Sequence, residues 1–349
     1  MNEKKNIRAS VILVSYNSKE DLAKCLPSLL ASISDTDEVI IIDNASSDGT
    51  VDWLKHTYPH IQLISSSENL GFGGGNNLGA KCALGEFLVF VNPDTLVEPH
   101  WIDTLIDALE QDTSIGLATS KIILLNNPNR INTCGNDMHI SGITLCRGLN
   151  QPRNAYQIQE EVSAISGTAF ISRRNLFIKL GGFDESFFMY MEDSDLSLRA
   201  RLAGYRCIYV PQSIVYHDYK LTIGPLKTYY EERNRYIMLL KCISYHTLLA
   251  LLPTLFLAEI VTWGFSFLHD QRNLSNKIHA YQWILFHMKE ILRSRKLVQA
   301  ERRVDDHKLL KTTHHRLGYE QTTFGSLSVV THLIFDPFFL MFKKFALIF

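Results

Sequence analysis

Apolar residues occur along the first half of the chain in short continuous runs, each closed by a polar turn. Residues 10–14 form one run, ended by Ser15, Tyr16, Asn17 and Ser18. Leu22, Leu26, Leu29 and Leu30 then recur at helical spacing. Residues 38–43 predict a second strand ending on Asp43, and Asn44 to Thr50 make a turn that caps a helix. Residues 61–64 are a third strand, and the glycine-rich stretch 69–79 leads into a helix. Residues 86–91 predict a fourth strand, closed by Asn92, Pro93 and Asp94. Continuous apolar strands alternating with helices predict an α/β fold with a mostly parallel sheet covered on both faces. Ligands of such sheets bind past the carboxyl ends of the strands, where Tyr16, Asp43, the glycine stretch and Asp94 all fall.

The pattern then loosens. Residues 115–125 predict a strand, followed by loop and hairpin material to about residue 159. Residues 163–171 predict a strand with a small centre at Gly167, and residues 173–180 a short helix. A turn at 181–185 carries Phe183 and Asp184 into the run 187–191, which delivers Glu192, Asp193 and Asp195 to a helix start. Residues 207–210 and 214–217 are further strand segments, the last ending on His217. A helix opens at Tyr229 and carries Tyr230 and Arg233. Two parts are expected: residues 1–240 as the catalytic domain and 241–349 as a helical extension.

Charge and cysteine content narrow the class. A net charge of -1 gives no reason to expect a nucleic-acid partner, and six scattered cysteines without a CxxC pair read as free thiols in a reducing compartment. The polar start, residues 2–8, predicts no signal peptide and a cytosolic catalytic part.

Each candidate carries a plain and a chemical reading. Acids in a first helical turn suit the helix dipole, so Asp193 or Ser194 can be a cap; alternatively one acid is a general base. The stretch from Gly71 to Asn76 has GxGxx spacing, with Asn76 where a third glycine belongs, and follows the third strand rather than the first. That disfavours a nicotinamide enzyme and leaves either a flexible loop or close approach to a diphosphate. Asp94 is a turn residue or a hard oxygen ligand. His217 is a structural histidine or, with Asp94, half of a metal site. Arg233 has no acid three or four residues away, which leaves a phosphate or stacking on tyrosine.

Taken in order, these motifs resemble the inverting glycosyltransferases of family 2, with the GT-A fold, over about residues 8–240. The carriers are residues 11–17, residues 41–50, Asn69-Leu70-Gly71 through Asn76-Asn77-Leu78-Gly79, Asn92-Pro93-Asp94, residues 181–185 and Glu192-Asp193-Ser194-Asp195-Leu196. Within the family the chain is most similar to the rhamnosyltransferase and galactofuranosyltransferase-like group, whose Tyr-Tyr…Arg-Asn motif it shares at 229–234. Asn92 departs from the family's DxD pattern, so metal binding would rest on Asp94 and His217.

The resemblance implies a nucleotide-diphosphate-sugar donor held by Ser15, Tyr16, Asn17, Asp43, Asn44, Gly71, Asn76, Asn92 and Asp94. It implies a divalent cation, Mg²⁺ or Mn²⁺, on Asp94 and His217. Gly167, Phe183, Asp184, Tyr230 and Arg233 would serve the acceptor or a phosphate. Asp193 would be the base, with Glu192 in reserve. The expected reaction moves a rhamnose-like sugar to a glycan or lipid-linked glycan in cell-surface polysaccharide assembly. The alternatives are a polyprenyl-phosphate glycosyltransferase or a non-catalytic nucleotide-sugar-binding protein.

In the last third, residues 248–268 are long enough to span a bilayer. Pro253 and Glu259 interrupt the run, and a mid-helix acid costs roughly 2.5–3.5 kcal/mol on insertion scales. Residues 289–316 are strongly basic with four acids. The expectation is therefore helices that dock on the inner face of the cell membrane as a peripheral or monotopic element, the basic segment meeting anionic headgroups. A soluble appendage or a dimer interface is the alternative.

Overall fold

The computed structural model describes residues 7–219, 225–269, 272–318, 321 and 326–348, which fall into two compact units. The chain opens with β1 (Ala9–Ser15), α1 (Lys19–Ser32), β2 (Glu38–Asp43), α2 (Thr50–Thr57), β3 (Gln62–Ser65), α3 (Gly71–Cys82) and β4 (Phe87–Val91). It continues through β5 (Thr95–Val97), α4 (Trp101–Gln111), β6 (Ile115–Leu124), β7 (Ile131–Thr133) and the paired β8 (Asn136–Met138) and β9 (Thr144–Cys146). Then come β10 (Glu160–Glu161), β11 (Ala169–Arg173), α5 (Arg174–Lys179), a 3-10 turn (Glu185–Phe187), α6 (Glu192–Leu202) and β12 (Arg206–His217).

The first unit is built on one sheet with the order β10-β12-β6-β11-β4-β1-β2-β3. β3, β2, β1 and β4 run parallel, as do β6 and β12, whereas β11 is antiparallel to both of its neighbours. Residues of β1, β2 and β4 are buried on both faces, as their unbroken apolar runs require. On one face Val11, Leu13 and Val89 pack with Leu22 and Leu26 of α1 and Trp101 of α4. On the other, Ile12, Ile42 and Phe90 pack with Ala80 of α3 and Leu196 of α6.

Two local expectations change. The glycines do not precede a helix; they are its first turns. A Cβ at Gly75 would sit 2.7 Å from Val14, and one at Gly79 2.6 Å from Ile12, so the glycines let α3 lie flush on β1. Gly71 itself has φ +72°, and a Cβ there would stand 2.2 Å from the Phe188 carbonyl. The strand expected over 163–171 begins only at Ala169. Ahead of it, the N–H groups of Ile165, Ser166 and Gly167 donate to Ser197 Oγ, Thr119 Oγ1 and Asp193 Oδ2 instead of to a ladder.

The second unit is helical: α7 (Pro225–Cys242), α8 (Tyr245–His269), α9 (Arg272–Phe286), α10 (Met288–Ala300), α11 (Asp306–Lys311) and α12 (Ser326–Ala346), together with residues 136–145. α7 packs on α9 and α10, and α8 on α9 and α12. Glu259, the acid inside the apolar run, is not solitary. It pairs with Arg235 at 2.7 Å and Lys277 at 3.3 Å, which also pair with Glu232 at 2.6 and 3.0 Å. The helix from Tyr245 to Phe267 is long and apolar enough to cross a membrane by length and composition.

Candidate active site

The sheet order lays the candidate residues along one edge. Ser15 ends β1 and pairs in register with Asp43, the end of β2. Val91 ends β4, and Asn92 N–H donates to Thr168 O at 3.0 Å where β11 begins. The spatial sequence β11-β4-β1-β2 therefore reads Gly167, Asn92 and Asp94, Ser15 and Tyr16, then Asp43. Three strand intervals separate its ends, about 14 Å at the usual spacing.

At the β2 end the backbone is clipped into shape. Asn17 N–H donates to Ser46 Oγ at 2.9 Å, and Asn17 Oδ1 accepts from Ser47 N–H at 2.7 Å. This holds Tyr16, whose ring is 52% exposed, beside the loop after β2. Asp43 Oδ2 accepts from Ser46 N–H at 3.2 Å, while Asp43 Oδ1 and Ser15 Oγ are buried with no hydrogen-bond partner. Buried polar atoms of that kind need a ligand or water.

Asp94 and His217 are brought together by strand pairing. β5 pairs with β12 with Thr95 opposite His217, which sets the preceding Asp94 beside the imidazole. His217 Nε2 lies 3.3 Å from Asp94 Oδ2. The other ring nitrogen, Nδ1, lies 2.9 Å from Asn132 Oδ1; donating there, the neutral imidazole offers its Nε2 lone pair on the Asp94 side. Asp94 Oδ1 is buried and unpartnered. One imidazole nitrogen and one hard carboxylate fit a divalent cation that also takes diphosphate oxygens. Among the described residues no group of three or more His, Cys, Asp and Glu could hold a metal, so the pair would be the protein's share.

At the β11 end stands Asp193, in the first turn of α6. Its Oδ2 accepts from Gly167 N–H at 2.9 Å and its Oδ1 from Ser194 N–H at 2.7 Å. Burial pushes Asp193 above the usual carboxylate range, against the hydrogen bonds from Gly167 and Ser194 that pull it down. Glu192 is 5% exposed, and its Oε1 has no partner. Burial, with the like charges of Asp193 and Asp195 adding to it, pushes Glu192 up to about 8. Asp195 is wholly buried and bonds Arg199 Nε at 2.7 Å; Arg199 in turn donates to the carbonyls of Leu180 and Gly182.

Several of the candidate residues make supporting contacts within the fold. Asn76 is 2% exposed, and its amide donates back to Phe72 O. Asn44 spends its amide on Asn69 Oδ1, Gly71 O and Leu70 N–H, locking the loop that leads into α3. Phe183 is buried among Phe72, Phe90, Phe170 and Phe177. Asp184 caps the 3-10 turn through Ser186. Tyr230 and Arg233 belong to the second unit, where the buried guanidinium lies over the rings of Tyr229, Tyr230 and Trp283. Asn132, which orients His217, went unnoticed in the sequence, and Asn77, quoted only within a motif, binds the Phe183 peptide with both amide atoms. Neither has a local signal, since each acts across more than 80 residues.

Comparison with known proteins bears on the family and the fold. Residues 10–181 match the family described as glycosyl transferase family 2. Over 232 residues the chain is 30% identical to N-acetylglucosaminyl-diphospho-decaprenol L-rhamnosyltransferase of Mycobacterium tuberculosis, covering 59% of this chain and 75% of that one. The chain belongs to glycosyltransferase family 2. It is therefore an inverting, rhamnosyltransferase-like enzyme that uses a nucleotide sugar. The transferase is also 27% identical to rhamnosyltransferase WbbL of Escherichia coli over 222 residues, 58% of this chain and 80% of the relative. Its fold is GT-A. It superposes on residues 1–349 of S. aureus TarS with a TM-score of 0.56 at 16% identity, covering 97% of this chain and 90% of that fragment. GalNAc-T7, solved with UDP, GalNAc and Mn²⁺, gives 0.56 at 18% identity, over 68% of this chain and 48% of its own.

Proposed function

We propose that the enzyme transfers a deoxyhexose such as rhamnose from a nucleotide-diphosphate sugar to a hydroxyl of a glycan or lipid-linked glycan, with Asp193 as general base. The observation that carries this reading is the order along the sheet edge: a partly exposed carboxylate suited to a base, then a carboxylate–imidazole pair, then the buried Asp43 Oδ1 and Ser15 Oγ beside an exposed tyrosine. The names of the mycobacterial and E. coli relatives support the sugar, and the mycobacterial name also supports a lipid-linked acceptor.

Tyr16 offers a face for the base of the nucleotide, and Asp43 Oδ1 with Ser15 Oγ accepts and donates at its edge. Asp94 and His217 would hold a divalent cation, which when bound neutralises charge on the departing diphosphate. Asp193 takes the proton from the acceptor hydroxyl as that oxygen attacks the anomeric carbon, opposite the leaving group. Its Gly167 and Ser194 hydrogen bonds fix the carboxylate, and burial raises its basicity toward what the task needs. Glu192 is protonated near neutral pH and buried, so it serves the site as a neutral neighbour. A side chain at Gly167 would meet Asp193 Cβ at 3.4 Å, and glycine leaves that approach open.

Membrane attachment through the helical unit is part of the same reading. Leu249, Leu252, Phe256, Ile260 and Phe267 form an exposed stripe on α8, and Glu259 is turned into its ion-pair network. That suits a helix lying in the headgroup plane rather than across the bilayer.

The test is a panel of nucleotide sugars screened for thermal stabilisation with Mn²⁺ and Mg²⁺, then for transfer to polyprenyl-diphosphate-linked sugars. A nucleotide-diphosphate deoxyhexose that stabilises and is transferred with inversion supports the proposal. Transfer to polyprenyl phosphate itself, or no transfer from any donor that binds, refutes it.

A further inference from the structure

Lys121 is the one charged residue in β6, a strand buried from end to end. A lysine there is unusual unless paired. Its ammonium, on a residue only 2% exposed, donates to Ala155 O at 2.7 Å. Among the described residues no carboxylate pairs with it. Burial lowers its pKa, and the positive charge of Arg153 pushes the same way. An ammonium with three N–H groups thus has one neutral protein acceptor, and its other N–H groups are available on the cleft side to an anion.

A cleft of about 500 Å³ opens over this group. Its walls carry the amides of Asn129, Asn154 and Gln157 and the guanidinium of Arg153. Arg153 is held at 2.8 Å to Glu98 and lies over the Tyr216 ring. Pro211 and Ile214 line an apolar side, at the irregular stretch of β12 between Val210 and Ile214. With Arg153 already paired to Glu98, the Lys121 ammonium, several amides and a small apolar patch make a surface for a polyhydroxylated ligand that carries one oxyanion. We infer that this cleft binds an anionic sugar unit, its carboxylate or phosphate seated on Lys121.

The register gives the cleft a place relative to the active site. Lys121 pairs with Ile214 and Leu124 with His217, so the cleft lies three residues, about 10 Å, along the strand pair from His217 and, side chains alternating, on the other face of the sheet. The binding inferred here does not rest on the proposed transfer.

The test is titration calorimetry on the full chain without divalent ions, using glucuronate, glucose 6-phosphate, glucose and inorganic phosphate. The expected result is saturable one-site binding of glucuronate or glucose 6-phosphate, at least about 10-fold tighter than glucose or inorganic phosphate. Which of the two binds tighter distinguishes a uronic acid from a phosphosugar. Lys121→Met should weaken it by about 10-fold or more, with an unchanged circular dichroism spectrum as the fold check. Asn154→Ala, on the exposed wall, should weaken it several-fold and carries the test if Lys121→Met does not fold. Equal binding of charged and neutral sugars, inorganic phosphate binding as tightly as either acidic sugar, no saturable binding, or wild-type affinity in both variants would each overturn the inference. Because transfer is not measured, loss of this binding and failure of the proposed reaction are separate results.

Discussion

Asn132 Oδ1 accepts a hydrogen bond from His217 Nδ1 at 2.9 Å, and this contact decides which ring nitrogen meets Asp94. Partners of this kind typically change metal affinity 10–100-fold. Asn132→Ala should therefore weaken Mn²⁺ binding by about 10–100-fold, read from the paramagnetic resonance of free Mn²⁺. Unchanged affinity would mean that the contact is only structural.

Glu192 carries a pH signature. Its folded pKa, about 8, stands above the ordinary carboxylate range of the unfolded chain. Between about pH 4.5 and 8 the folded protein keeps a proton that the unfolded chain has released, so stability falls as pH rises through that window. The melting temperature should drop from pH 5 to pH 8, and Glu192→Gln should remove most of the drop. A wild-type pH dependence in that variant would contradict the assignment.

Gly71 is held at positive φ against the Phe188 carbonyl. A left-handed side chain costs about 1–2 kcal/mol, and overpacking adds about 1–3 kcal/mol. Gly71→Ala should therefore lose about 2–5 kcal/mol in denaturant unfolding, whereas Gly181→Ala, with nothing within 4 Å of its Cβ, should lose only the backbone part.

Glu259 balances Arg235 and Lys277 inside the helical unit. Removing one partner of a buried pair costs about 3–5 kcal/mol. Glu259→Ala should destabilise by that order, as measured by chemical unfolding. A neutral effect would mean that the network is solvated.

Much of this was legible in the sequence, for identifiable reasons. β1, β2 and β4 announce themselves because strands buried on both faces must be apolar throughout, and their polar terminators, Ser15, Asp43 and Asp94, mark the ligand edge. The Asp94–His217 pair could be suggested but not built: its partners lie more than 120 residues apart and meet only through the β5–β12 register. In the glycine stretch, glycine that spares a ligand and glycine that lets a helix touch a sheet look alike in sequence, and Val14 and Ile12 beneath it show the second role. For Asn76 and Phe183, motif membership does not say whether a side chain faces the crevice or props it up. The identity of the base rested on family resemblance, and the geometry adds a physical reason: Glu192 is sealed in, and Asp193 is partly open.

The central claim is tested most directly by Asp193→Asn, assayed for transfer and for donor binding in the same preparation. The account predicts that turnover falls about 10²–10⁴-fold, the usual worth of a general base, while donor affinity stays within about two-fold. Wild-type turnover in Asp193→Asn, or an equal loss in Glu192→Gln with Asp193→Asn active, would contradict it.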